Sequence, residues 1–179
     1  MAKRLYSEIH ERQLFSFSQA HASSAVIIAR SVEGKLSDPR QAIKFGSSIL
    51  LLGFALELSI KCLLAIENRQ IAKDHDLEKL IGLLRATDKK RIRSLYRKKL
   101  TTNPEIRASK KNAARIFGHG LSLTFNKALC LSANAFMAAR YPWDAPNKSV
   151  KWHAGPILNC VTDRIIELRP SFSELKLLN

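Results

Sequence analysis

Residues 54–64 read FALELSIKCLL, an almost wholly apolar run that contains one acidic and one basic residue. With its apolar neighbours, from 49 to 66, this run predicts a helix that is buried nearly all round, as the central helix of a bundle should be. Glu57 and Lys61 are four residues apart with the acid first, the order in which such a pair forms best on a helix. Because charges buried among apolar side chains must be paired, we expect these two to bind each other.

Two interpretations of the Glu57–Lys61 pair are open from the sequence alone. In the structural interpretation, the pair fixes the register of its helix or meets Arg140 across the bundle. In the functional interpretation, it orients a catalytic arginine or a phosphate from the concave side of the bundle.

Two further phrases follow, DHDLEKL at residues 74–80 and AFMAARYP at residues 135–142. In the first, Asp74 or Asp76 can cap a new helix, and the His75-Asp76 pair serves either that capping turn or catalysis. In the second, a helix ends on Arg-Tyr-Pro. In their order and spacing the three phrases resemble the HEPN superfamily, small all-helical proteins that recur in prokaryotic defence and toxin–antitoxin systems and are often ribonucleases. The resemblance covers about residues 45–168 and implies a homodimer, with an antitoxin or defence-system protein as a further partner.

The resemblance also implies a specific catalytic site. Active HEPN proteins carry an Arg followed four to six residues later by a His, and cleave RNA without a metal. The His acts on the ribose 2′-OH as general acid or base, and the Arg stabilises the phosphate. Arg140 is the matching arginine here, but the next histidine, His153, comes only after twelve intervening residues, and Arg115 to His119 has three. The motif is therefore absent, which favours a binding protein; the alternative is a ribonuclease with an irregular site of Arg140 and His153, supported by Glu57 and Lys61.

Helical periodicity runs through the whole chain, and no strand-like alternation of any length interrupts it. We predict one all-α domain over residues 1–179, a HEPN-like bundle of about five main helices with its core at about 40–170. The helices are expected at about 6–33, 39–68, 77–84, 122–140 and 155–168. Asp38-Pro39 begins the second helix, and Thr87-Asp88 offers a further cap. A basic loop or helix insertion occupies 85–115, and a linker occupies 141–154.

Basic residues are concentrated in the segment 85–115, which holds twelve Lys or Arg and two acidic residues. The net charge of this segment, 12 − 2 = +10, is two thirds of the chain's net charge of +15. Such density favours polyanions because neutralised phosphates release condensed counterions, and the resemblance favours RNA among them. The predicted contacts are Lys89, Lys90, Arg91, Arg93, Arg97, Lys98, Lys99, Arg107, Lys110 and Lys111. The alternatives are a solvated helix face that only aids solubility, or a face that meets an acidic partner protein. Trp143 and Trp152, beside the basic linker, either stack on bases or cover the end of the bundle.

Other chemistries find little support in the sequence. Three widely separated cysteines, Cys62, Cys130 and Cys160, are typical of reduced, buried thiols in a cytoplasmic protein. The five histidines are scattered without metal-ligand spacing, so we predict neither a metal nor another cofactor. The basic N-terminus is not followed by the apolar h-region of a secretory signal, and the most apolar segment of the chain is too short to span a bilayer. No membrane partner is therefore expected.

Overall fold

The computed structural model describes residues 6–32, 38–71, 73–102, 104, 124–140 and 154–177. All regular structure in these ranges is helical, so the predicted all-α class is confirmed. The helices are α1 (Glu8–Ser31), α2 (Pro39–Ile66), α3 (Leu77–Leu83), α4 (Ala86–Thr102), α5 (Phe125–Arg140) and α6 (Ala154–Leu168), followed by a 3₁₀ helix at Pro170–Leu175. Residues 141–153 of the predicted 141–154 linker, with Trp143, Trp152 and His153, lie outside the described residues, and Ala154 already begins α6. Also outside the described residues are Arg107, Lys110, Lys111, Arg115 and His119.

Helix α2 is the centre of the bundle, as predicted. Asp38 caps it by accepting from the backbone N–H of Arg40, with proline in the first turn, and Leu56, Ile60 and Leu63 are fully buried. Among the described residues, α2 is also long and apolar enough to cross a membrane by length and composition. Within this fold, 61% of its most apolar window is buried against other helices, as in the core helix of a globular domain.

Helices α1 and α2 pack closely and antiparallel because small polar residues lie between them. The hydroxyl of Ser18 donates to the carbonyl of Ala55 at 2.8 Å and lies 2.6 Å from that of Ser59. One turn from the start of α1, the fully buried Glu11 accepts from Arg169, which follows α6, at 2.8 Å. This ion pair ties the two ends of the described chain together across the bundle.

The basic segment begins as a regular helix that is part of the bundle core. Ile92 and Tyr96 of α4 are buried, and α4 packs against α6. The expected cap at Thr87-Asp88 is wrong, because α4 already begins at Ala86. The residue before α4 is held instead by the residue that follows α2: both carboxylate oxygens of Glu67 accept from the backbone N–H of Arg85, at 2.9 and 3.0 Å.

Glu67 gives the fold a pH dependence. The residue is 4% exposed, and burial, together with the hydrogen bond and charge of the neighbouring Asp88 carboxyl, raises its pKa to about 7 from 4.5. The folded protein therefore binds this proton more tightly than the unfolded chain does. Its contribution to stability is complete below pH 4.5 and is lost as the pH rises to about 7, a loss of roughly 3 kcal/mol in the free energy of unfolding.

Glu67→Gln is expected to remove this dependence, since the amide cannot ionise. Denaturant unfolding at pH 5 and pH 7.5 gives the change in the free energy of unfolding with pH, and this slope is compared between parent and variant. Glu174→Gln, at an exposed carboxylate, is the matched control and should keep the parent's slope. An equal slope in Glu67→Gln and the parent would contradict the assignment.

Candidate functional site

Glu57 is the buried centre of a polar cluster on α2. Its side chain is 3% exposed, and the Lys61 ammonium donates to Oε1 at 2.7 Å, so the predicted pair is confirmed. A carboxylate this deeply buried needs more than one partner, because it offers two oxygens with several lone pairs. The second partner comes from outside the helix.

That second partner is His75, in the turn before α3. Its Nδ1 lies 2.9 and 3.0 Å from the two carboxylate oxygens of Glu57. A carboxylate at Nδ1 favours the tautomer whose Nδ1 carries the proton, which leaves Nε2 available on a side chain that is 48% exposed. A histidine held in this way can accept or donate a proton at Nε2.

The turn that presents His75 is built by the aspartates on either side of it. Asp76 caps α3 by accepting from the backbone N–H groups of Glu78 and Lys79, as predicted for this phrase. Asp74 accepts from the N–H groups of His75 and Asp76, and these hydrogen bonds lower the pKa of its carboxyl. The turn at residues 74–76 therefore both caps α3 and holds His75 against Glu57.

Arg140 ends α5 and lies on aromatic faces. Its guanidinium carbon is 5.6 Å from the ring centroids of both Phe54 and Phe136, which meet edge to face at 5.1 Å. This arrangement depends on Gly53, where an added Cβ would lie 2.2 Å from the Phe136 ring. The glycine lets α5 approach α2 closely enough to fix the arginine.

One open cleft contains both His75 and Arg140. It has a volume of about 370 Å³ and lies between the turn before α3 and the C-terminal half of α5. His75 and Arg140 both line it. The wall formed by the turn and the start of α3 carries two lysines and three acidic residues, Lys73, Lys79, Asp74, Asp76 and Glu78, and Asn134 and Met137 lie on the α5 wall. The sequence assigned His153 to Arg140, and His153 lies outside the described residues. The structure brings His75 into the same cleft as Arg140.

The predicted nucleic-acid contacts on α4 divide into two groups. The first group holds α4 in place: Arg91 Nε donates to both oxygens of Glu167 on α6, at 3.0 and 3.1 Å, and Lys99 pairs with Asp163 at 2.7 Å. The contact with Glu167 also raises the pKa of Arg91. Lys89 donates to the carbonyl of Gly82 at 2.9 Å.

The second group is the exposed cation row, which we define as Lys90, Arg93, Arg97 and Lys98. Lys90, Arg93 and Arg97 follow each other at i, i+3 and i+7 and so share one face of α4. Arg93 stacks over Phe125 at 5.9 Å, which steadies its guanidinium. In the part of the chain that the structure describes, none of the four forms an ion pair with a carboxylate.

Cys62 and Cys160 are suited to packing and not to chemistry. Cys62 and Cys160 are buried, and burial raises the pKa of both thiols, that of Cys160 to about 12. Cys130 is only half-buried, which corrects the expectation that all three are buried.

No protein-family model, curated protein or solved structure matches this chain. Two surfaces of this all-α bundle are its candidate functional sites. One is a basic helix face, and the other is a polar cleft that contains a carboxylate-held histidine and an arginine.

Proposed function

We propose that this protein is a HEPN-like bundle of the cytoplasm that binds RNA or another polyanion through the exposed cation row of α4. The observation that carries the proposal is the division of α4 into two sets of cations. Cations that are paired with carboxylates already have their counter-charge within the fold. The exposed cation row has none among the described residues and is therefore open to phosphates.

This division sets the expected strength of the interaction. Four cations that neutralise four phosphates of a single strand give a slope of about −3 in a plot of log affinity against log salt. Binding should therefore be moderate at low salt and weak near physiological salt. Side chains from the remainder of the basic segment would make the slope steeper.

The test is a fluorescence titration of labelled single-stranded RNA in EDTA at several salt concentrations. The double charge reversal Arg93→Glu with Arg97→Glu is expected to weaken binding by about 100-fold and to flatten the salt slope. The matched control, Arg30→Glu with Arg40→Glu, makes the same change of charge at exposed sites on other helices and should weaken binding far less.

Two outcomes would overturn the proposal: no binding at low salt, or an equal loss in the control pair. A third outcome redirects it: if the row binds an acidic partner protein that RNA fails to displace, the protein is a subunit of a protein complex, as in defence or toxin–antitoxin systems.

A metal-independent ribonuclease is the second candidate function, and the cleft favours it. Cleavage of RNA needs a base to take the proton of the 2′-OH and a cation to stabilise the phosphate. His75 offers Nε2 for the first role, and Arg140, in the same cleft, is suited to the second. This assignment replaces His153 with His75, and keeps Glu57 as the group that orients the histidine and Lys61 as the counter-charge of Glu57.

A further inference from the structure

The outer face of α1 is unusual for an exposed helix because most of its length has no charged residue. Residues 13–29 contain no Lys, Arg, Asp or Glu, although such residues make up 25% of the chain. Two large apolar side chains on this face are mostly exposed, Phe17 at 61% and Ile27 at 66%. A soluble helix face of this length ordinarily carries several charges, so the face is suited to contact with another surface.

Exposed positions of α1 form a stripe with regular spacing. The stripe consists of Gln13, Phe17, Ala20, Ser24, Ile27 and Ser31, separated alternately by four and three residues. This is the spacing of a helix seam that packs against another helix. It is distinct from the inner face, where Phe15, Ala22 and Ala25 are buried in the bundle.

The stripe is also nearly symmetric along the helix. Phe17 and Ile27 lie five residues before and after residue 22, and the small residues Ala20 and Ser24 lie two residues before and after it. When a second α1 lies antiparallel across this point, Phe17 of each copy meets Ile27 of the other, and Ala20 meets Ser24. The small residues at the centre allow the close approach, and the large ones fill the flanks.

We propose that the α1 stripe is the interface with a second copy of this chain, formed by two antiparallel α1 helices around a two-fold axis. Charge favours this face for the contact: the protein carries +15, so two copies repel each other least where the surfaces that meet have no charge of their own. Parallel pairing would place Arg30 beside Arg30, whereas antiparallel pairing separates them. This inference does not depend on RNA binding at α4.

The contact area implies a weak, concentration-dependent dimer. Residues 13 to 31 span about 27 Å of helix, and one helix from each copy covers less than the roughly 800 Å² per partner of a standard interface. Ile43, 71% exposed at the start of α2, adds apolar surface near the C-terminal end of α1. The dimer should therefore dissociate on dilution.

Sedimentation velocity across a range of protein concentrations tests the interface. The parent should show a monomer–dimer equilibrium, and Ser24→Arg should raise the dimer dissociation constant at least tenfold by placing two bulky like charges near the centre. Ser24 is exposed, and arginine is a better helix former than serine, so the fold should be kept. Ser94→Arg, the same substitution on the exposed face of α4, is the matched control and should leave the dimer intact.

Cysteine cross-linking tests the orientation. In a Cys130→Ser background, a mixture of Ala20→Cys and Ser24→Cys proteins should form the mixed disulfide, while each alone should not. A monomer at every concentration, an equal effect of Ser94→Arg, or cross-links within each single variant would overturn the proposal. If the parent is a monomer at every concentration and Ser24→Arg lowers its stability, the stripe is covered by another part of its own chain and not by a second copy.

Discussion

Replacing Arg169 with alanine is expected to lower the free energy of unfolding by roughly 3 kcal/mol. Its guanidinium compensates the carboxylate of Glu11, which has no exposed surface. Removing one partner of a buried ion pair costs about 3–5 kcal/mol, because the remaining charge stays in a medium that solvates it poorly. We expect the lower end of that range, since the side chain of Arg169 is 25% exposed and water can partly replace it.

Urea unfolding followed by circular dichroism measures this loss, and an exposed pair provides the control. Arg12 binds Glu174 with side-chain exposures of 43% and 62%, so Arg12→Ala should cost less than about 1 kcal/mol. The double variant Glu11→Leu with Arg169→Met should recover much of the stability, because it removes both charges and keeps apolar volume. Equal losses in Arg12→Ala and Arg169→Ala would refute the importance of the buried pair.

In the ribonuclease alternative, His75→Ala is expected to lower the rate of RNA cleavage by about 10²- to 10⁴-fold, the usual contribution of a general acid or base. Glu57 keeps Lys61 as its counter-charge in this variant, so the fold should be retained, with some loss of stability because the buried carboxylate loses one of its two partners. Affinity for RNA should be unchanged, because the exposed cation row is intact. Cleavage of labelled RNA in EDTA is the measurement, and chelation should have no effect on the parent.

His10→Ala, at an exposed histidine in the first turn of α1, controls for loss of an imidazole elsewhere. His153→Ala separates the two assignments, since only the site predicted from sequence requires that residue. Cleavage that survives His75→Ala but not His153→Ala would return the catalytic role to His153. Binding without cleavage in the parent would leave the cleft without a role in RNA hydrolysis.

Local signals in the sequence were enough for most of the helices. The Asp38-Pro39 start of α2 and the Asp76 cap of α3 each depend on neighbours within one or two turns. The i, i+4 spacing of Glu57 and Lys61 likewise made their pairing predictable. These features agree with the structure because local propensity and tertiary packing favour the same conformation there.

Long-range pairings could not be predicted from the same signals. Glu11 meets Arg169 across 158 residues, and Arg91 meets Glu167 across 76. Nothing in the local pattern of the basic segment distinguishes Arg91 from Arg97, although one is paired with a carboxylate and the other is in the exposed cation row. The contact of His75 with Glu57 was missed for the same reason, although the two phrases that contain them were identified together.

The attachment of α4 to α6 means that this helix is itself sensitive to ionic strength. Its partners on α6, Glu167 and Asp163, act as built-in competitors for the polyanion, because they already occupy Arg91 and Lys99. Added salt weakens both the binding of RNA to α4 and the ion pairs that hold α4 against α6. A mutation that neutralises an acidic residue on α6 should therefore increase the number of cations available to RNA. The same mutation should loosen the packing of α4 on α6, so that affinity for RNA rises while the rigidity of the binding surface falls.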